Sequence, residues 1–161
     1  MPQHTAPYQP FLQLLQQEQA AVQQLLATLQ QEHQALGARD VDAIDQAVAA
    51  KEQQLAQLGQ LAQQRNQLLE QAGVSADKEG FSQFIASEPS GKLKQRWDEL
   101  ETLLRECQRQ NQINGSLLET GRQVSQELLS ILTGQDFGKN ELYNQRGRTS
   151  SAMGQNTSFK V

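Results

Sequence analysis

The stretch that decides the fold is KLKQRWDELETLLRECQRQNQINGSLLETGRQVSQELLSILT, which runs from Lys92 to Thr133. Its apolar residues recur in steps of four and three, the spacing of one face of an α-helix. They are Leu93, Trp97, Leu100, Leu104 and Cys107 and then, beyond Asn111 and Asn114, Leu117, Leu118, Val124, Leu128 and Leu132. One helix of this length would span about 60 Å. We therefore predict a long helix over residues 92–133 whose apolar stripe needs a partner.

Two shorter amphipathic helices precede this segment. We predict the first over residues 10–36, with Pro10 in its first turn and Gly37 as a left-handed cap. The second is predicted over residues 41–72, with Asp40 as its N-cap. Because the linker between them is so short, the two helices must run antiparallel as a hairpin. Both are shorter than the third helix, so we expect part of its apolar face to be available to another chain.

Two charges interrupt the apolar stripe of each hairpin helix. Glu18 and Glu32 lie two heptads apart on the first helix, and Lys51 and Arg65 lie two heptads apart on the second. Opposite charges would face each other, although a turn centred near Ala38 offsets the paired positions by about 9 to 10 Å along the axis. A smooth helical seam offers no concave pocket for acid–base catalysis. We predict that these charges set the register of the hairpin, as buried ion pairs do elsewhere.

A short helix is predicted over residues 76–86, where three apolar residues fall at i, i+3 and i+4. These residues are Phe81, Phe84 and Ile85. We expect the two phenylalanines to plug one end of the bundle. We predict one helical bundle over residues 1–133. The polar, glycine-containing segment 134–161 is predicted to be a flexible tail. The predicted fold class is all-α, an antiparallel bundle of three long helices with one short connecting helix.

Composition excludes several classes of function. The net charge is −4 with no cluster of basic residues, which argues against binding to nucleic acid. No segment approaches the roughly twenty apolar residues that span a bilayer, and no secretion signal precedes Phe11, so we expect a cytoplasmic protein. The sequence contains no metal-ligand spacing, phosphate-binding loop or nucleophile motif. We predict no cofactor, no metal site and no enzymatic activity.

The segment Asn111-x-x-Asn114-Gly115 has two interpretations. In the first, the two asparagines form a polar layer that fixes helix register, as buried asparagines do in coiled coils. In the second, Gly115 lets a partner backbone approach closely while the asparagine amides bond to it. The apolar residues around and beyond this segment form either an intramolecular core, a homodimer seam, or a surface that accepts a helix from a client protein. They are Ile113, Leu117, Leu118, Val124, Leu128, Leu129, Ile131 and Leu132.

Several short motifs follow one another in a distinctive order. They are Leu15-x-x-Glu18 with Leu25, Lys51 with Leu55 and Leu58, Arg65 with Leu69 before Gly73, and Asn111-x-x-Asn114-Gly115-x-Leu117-Leu118 followed by Tyr143 and Gly147. Their order and spacing resemble the FlgN family of flagellar export chaperones. The resemblance implies a cytoplasmic helical chaperone that binds hook-associated proteins of the hook–filament junction. It would prevent their premature assembly and deliver them to the flagellar type III export gate.

The resemblance also assigns residues to these roles. It implies a client-binding surface made of Asn111, Asn114, Gly115, Leu117, Leu118, Val124, Leu128, Ile131 and Leu132. It implies Tyr143 as a contact to the export gate. The alternative interpretation is a homodimeric coiled-coil scaffold, in which the third helix pairs with its own copy and no client exists.

Overall fold

The computed structural model describes residues 7–75, 77–116 and 121–134. Within these ranges the chain forms five α-helices and no β-strand, so the predicted all-α class is confirmed. The helices are α1 (Tyr8–Ala38), α2 (Val41–Gln71), α3 (Lys78–Ser87), α4 (Lys92–Gly115) and α5 (Gly121–Thr133). None of these helices is long and apolar enough to cross a membrane.

The hairpin of α1 and α2 has the predicted antiparallel arrangement, and each of its helices has 31 residues. Asp40 caps α2 as predicted, because its Oδ1 accepts a hydrogen bond from the Ala43 backbone N–H at 3.1 Å. The predicted cap at Gly37 is wrong. Gly37 stays within α1, and Arg39 ends the helix with a φ of 54°. A left-handed non-glycine residue is strained, and the Asp40 cap that follows directly compensates for this strain.

The short helix α3 closes one end of the bundle with an aromatic cluster. The Phe84 ring lies 5.4 Å from Tyr8 and 5.0 Å from Phe11, measured between ring centroids. Phe81 meets Phe11 at 5.7 Å and Trp97 at 4.4 Å. Edge-on and tilted contacts of this kind are the favoured geometries of aromatic pairs. The two phenylalanines therefore pack as the predicted plug and tie α3 to both α1 and α4.

The third helix differs from the prediction of one helix over residues 92–133. The structure instead has α4, with 24 residues, and a separate α5, with 13 residues. The C-terminal residues of α5 line the same cleft as Trp97 and Glu101, which lie in the first half of α4. Helix α5 therefore runs antiparallel to α4 and packs against it and against α2.

Burial explains why the chain folds back. Val124, Leu128 and Ile131 of α5 are 6%, 0% and 2% exposed, and all three belong to the hydrophobic core. A continuous helix would carry these side chains past the bundle into water, and Gly115 has a poor propensity for a helix interior. The expected uncovered stripe is therefore largely sheltered by the chain itself. Of the described residues of this stretch, Ile113 and Leu129 are the large apolar residues that remain exposed.

Candidate functional site

One polar layer crosses the core between α1, α2 and α4. Lys51 Nζ donates to Glu32 Oε2 at 2.7 Å, and both side chains are almost fully buried. Asn114 Nδ2 donates to the other carboxylate oxygen of Glu32 at 2.8 Å and to the Leu29 carbonyl at 2.9 Å. Asn111 Oδ1 accepts from Lys51 Nζ at 3.5 Å. The two asparagines therefore use their amides inside the chain, which favours the polar-layer interpretation.

A second layer lies nearer to α3. Arg65 Nη1 donates to Glu18 Oε2 at 2.6 Å, and the Arg65 guanidinium stacks 5.0 Å from the Trp97 ring and 5.5 Å from the Phe81 ring. Among the described residues, Glu18 Oε1 and Arg65 Nε have no hydrogen-bond partner. Burial raises the pKa of Glu18 above its usual range, although the nearby Arg65 acts in the opposite direction. This layer joins α1 and α2 to the aromatic plug.

The charged residues meet directly, whereas the sequence predicted an axial offset of about 9 to 10 Å. Part of the difference comes from the turn, which is centred between Arg39 and Asp40 and leaves an offset of about 6 Å. The rest comes from side-chain direction, because helical side chains lean toward the N-terminus of their own helix. In an antiparallel pair, Glu32 and Lys51 then lean toward each other. The same argument applies to the second pair.

A cleft of about 200 Å³ opens beside the second layer, between α2, α3, α4 and α5. Its walls include the aromatic rings of Phe81 and Trp97 and the side chains of Leu129 and Leu132 from α5. The charged residues Asp77, Lys78, Glu101 and Arg105 also line it. Residues of α5 thus form one wall of the cleft, while Val124, Leu128 and Ile131 anchor the same helix to the core.

The comparison with protein families decides what kind of bundle this is. The model of the FlgN protein family matches residues 7–151. The chain belongs to the FlgN family. This membership implies the role of a flagellar export chaperone, and FlgN proteins are chaperones rather than enzymes.

A solved FlgN structure supports the same assignment. It is a crystal structure, at 1.48 Å resolution, of a proposed flagella synthesis protein FlgN from Pseudomonas aeruginosa. It is 31% identical to this chain, with a TM-score of 0.67, and the match covers 81% of this chain and 99% of the other. A search of curated proteins found no match.

The structure describes most of the residues that the FlgN resemblance assigned to client binding. Asn111, Asn114, Val124, Leu128 and Ile131 are buried, whereas Gly115 and Leu132 are half-buried. Leu117, Leu118 and Tyr143 lie outside the described residues, as does the tail predicted over residues 134–161 beyond Gly134. The structure therefore brings the apolar members together on α5, with their side chains directed into this chain's own core.

Some residues of the site had no clear signal in the sequence. His33 Nδ1 lies 3.2 Å from Asn114 Oδ1, and Gln110 Nε2 donates to the same oxygen at 3.0 Å. The i, i+4 spacing of Gln110 and Asn114 was a usable signal, because such pairs lie side by side on a helix. The stacking of Trp97 on Arg65 joins residues from different helices, so local periodicity could not reveal it.

The described residues carry no constellation for metal or nucleophilic chemistry. No group of three or more histidine, cysteine, aspartate or glutamate residues is placed to hold a metal ion within residues 7–75, 77–116 and 121–134. Cys107 is buried and its Sγ donates weakly to the Val22 carbonyl at 3.6 Å. Burial raises the pKa of the Cys107 thiol to about 12. This thiol packs as a small apolar side chain rather than a nucleophile.

Proposed function

We propose that the chain is a cytoplasmic chaperone of flagellar type III export whose clients are hook-associated proteins of the hook–filament junction. It binds them through its C-terminal amphipathic helix, prevents their premature assembly and delivers them to the export gate. The observation that carries this proposal is the way α5 is held on the bundle. Among the described side chains of α5, Val124, Leu128 and Ile131 are buried in the core and Leu132 packs against it.

Helix α5 depends on its surroundings for its structure. A 13-residue helix is marginal by itself in water, so apolar contacts must stabilise it. Three buried anchors supply these contacts, namely Val124, Leu128 and Ile131. The Ser130 and Thr133 hydroxyls donate to backbone carbonyls within α5 and do not tie it to the bundle. An apolar helix of a client can supply the same kind of surface.

Client capture then requires an exchange of partners. The anchor face of α5 cannot contact its own bundle and a client at the same time, so α5 leaves the bundle when the client binds. Covering a client helix removes apolar surface from water, which contributes about 25 cal/mol per Å² and blocks self-association of the client. No covalent chemistry or nucleotide is needed. Release is left to the export machinery.

The polar layer marks the N-terminal boundary of this proposed client surface. Asn111 and Asn114 remain bonded to Lys51 and Glu32 and hold the end of α4 in place. We propose that the surface begins after Gly115, with Leu117 and Leu118, and continues along the anchor face of α5 to Leu132. Tyr143 is proposed to contact the export gate.

The test is capture of purified hook-associated proteins by the chain and by two variants of α5. Leu128→Asp places a charge in the centre of the anchor face, whereas Gln126→Asp adds the same charge at an exposed position of the same helix. We expect Leu128→Asp to lose capture at least about tenfold and Gln126→Asp to retain it, because a buried unpaired carboxylate is strongly unfavourable. Circular dichroism checks that the bundle of α1 to α4 stays helical in both variants.

The same experiment separates two binding modes. If the client instead occupied the groove that α5 leaves, Leu128→Asp would free that groove and increase capture. Increased or unchanged capture therefore contradicts a client surface on α5. For the export gate, Tyr143→Ala should leave capture unchanged and reduce secretion of the client in cells, and normal secretion would contradict this role.

A further inference from the structure

The cleft beside the second layer leaves apolar side chains in contact with water. Leu129 lines it and is 48% exposed, while Phe81 and Leu132 are half-buried. The volume of about 200 Å³ is sufficient for one aromatic ring, because an apolar cavity of about 150 Å³ can bind benzene. The rings of Phe81 and Trp97 line the same space, and contacts between aromatic rings are favourable. The cleft therefore fits a single aromatic side chain.

The polar groups of the cleft favour an acidic neighbour for that ring. Arg105 pairs with Glu101 at 3.5 Å, and Asp77 caps the N-terminus of α3. Among the described residues, Lys78 forms no ion pair, and the buried Nε of Arg65 has no hydrogen-bond partner. Both groups are hydrogen-bond donors. An occupant that carries an aromatic ring next to a carboxylate and a carbonyl oxygen thus matches the cleft.

The chain itself leads such an occupant to the cleft. Gly134 lines the cleft, and its φ of 69° turns the backbone at the end of α5. The next residues lie outside the described ranges and read Gln135-Asp136-Phe137. Three residues span up to about 10 Å, so Phe137 is within reach of the cleft. A tether this short gives an effective concentration on the order of millimolar, so even a weak contact is populated.

We propose that Phe137 docks in this cleft of its own chain, with Asp136 beside Lys78. The docked ring covers Leu129 of α5 and Phe81 of α3 together. Because α5 supplies one wall of the cleft, docking holds α5 on the bundle and opposes its departure. This inference concerns a contact within the chain and does not depend on the proposed client.

The first test measures contacts of the Phe137 ring in the full-length chain by nuclear Overhauser effects. We expect signals between a phenylalanine ring and the Leu129 methyl groups that disappear in Phe137→Ala. They should persist in Phe159→Ala, which makes the same substitution further along the same segment. Phe81 lines the cleft as well, so only signals that the substitution removes are counted. Identical signals in the parent chain and Phe137→Ala overturn the proposal.

The same signals distinguish this chain's own segment from that of a second copy. Docking within one chain does not depend on protein concentration, so the signals should be unchanged on tenfold dilution. Light scattering should show monomer under the same conditions. Signals that are lost on dilution, together with dimer at the higher concentration, would mean that a second copy fills the cleft, and the proposal would be wrong.

The second test alters the cleft instead of its occupant. Leu129→Asp places a carboxylate in the wall, where it removes apolar surface and repels Asp136, whereas Gln126→Asp adds the same charge at an exposed position of α5 outside the cleft. Trp97, the single tryptophan of the chain, provides the readout. We expect signals between the Phe137 and Trp97 rings in Gln126→Asp and their loss in Leu129→Asp. Equal signals in the two variants would contradict docking in this cleft.

The third test measures the effect of docking on α5. The population of open α5 decreases by one plus the ratio of the effective concentration of Phe137 to its dissociation constant. We expect hydrogen exchange of α5 amides to be at least about threefold faster in Phe137→Ala than in Phe159→Ala. Amides in the middle of α1 should exchange equally in both variants. Equal α5 rates would contradict the claim that the docked ring holds this helix on the bundle.

Discussion

At the residue scale, Glu18 is the most unusual group because it is a buried carboxylate with a single strong partner. Arg65 bonds one carboxylate oxygen, whereas the other has no partner among the described residues. Burial raises the pKa of Glu18 despite the opposing charge of Arg65. The folded chain therefore holds a proton on Glu18 more tightly than the unfolded chain does.

This difference predicts how stability changes with pH. Below the ordinary value of 4.5, Glu18 is protonated in both states and its favourable contribution is complete. That contribution is lost as the pH rises through the raised folded-state pKa. We expect the unfolding free energy of the parent chain minus that of Glu18→Gln to decrease from about pH 4.5 toward neutral pH. Urea titrations of both proteins at several pH values measure this difference in unfolding free energy. A difference that increases with pH would mean that Arg65 lowers the pKa of Glu18 more than burial raises it.

Cys107 gives a second prediction at the residue scale. With a pKa of about 12, almost none of the thiol is ionised at pH 8, and the side chain is fully buried. We expect a thiol reagent to label Cys107 at least about a hundredfold more slowly in buffer than in denaturant, because the thiolate is the reactive form. The unfolded chain is the internal control. Equal rates in the two conditions would contradict the packing of α4 on α1.

At the scale of elements, the two buried ion pairs join α1 to α2, and we propose that they set the register of this hairpin. Removing one member leaves its partner as an unpaired buried charge, which costs roughly 3 to 5 kcal/mol. We expect that loss of unfolding free energy for Lys51→Met. Adding Glu32→Gln removes the orphaned charge while retaining an acceptor for Asn114, so the double variant should recover at least about half of the loss. Urea denaturation measures all three proteins.

An exposed pair provides the control for this experiment. Lys94 and Asp98 on α4 form an ion pair of 3.0 Å, with side chains 65% and 58% exposed. Exposed pairs of this kind contribute roughly 1 kcal/mol or less. Lys94→Met should therefore change the unfolding free energy far less than Lys51→Met. Similar effects of the two substitutions would mean that burial does not determine how much the Lys51–Glu32 pair contributes to the unfolding free energy.

The elements also show what the sequence could and could not predict. The α1–α2 hairpin followed from periodicity and a short linker, and the facing charges followed from their equal spacing of two heptads. The separation into α4 and α5 did not, because the residues from Ser116 to Thr120 have ordinary or favourable helix propensities. Burial of Val124, Leu128 and Ile131 decides that separation, and it depends on surfaces of α2 and α4 that are distant in sequence. Similarly, the partners of Asn114 come from both α1 and α4.

At the scale of the whole molecule, the bundle divides into a central part and a peripheral part. Helix α1 packs along both α2 and α4, and its buried face supplies much of the core. The plug of α3 and the two charged layers also join these helices to each other. Helix α5 packs mainly on α4, and its buried apolar side chains are Val124, Leu128 and Ile131, with the half-buried Leu132 packed beside them. We therefore expect α5 to open at a lower free energy than α1, α2 and α4, since regions with fewer buried contacts open first.

Hydrogen exchange of the parent chain and of Leu128→Asp tests this division. The substitution places a carboxylate where a leucine is fully buried, so α5 should leave the bundle and its amides should exchange at nearly unfolded rates. Amides in the middle of α1 and α2 should keep most of their protection, because their contacts with each other and with α4 remain. Gln126→Asp, on the exposed side of α5, should match the parent chain. If Leu128→Asp accelerated exchange equally in all helices, α5 would be an integral part of one cooperative unit. Its release to a client could then not occur without unfolding the whole bundle.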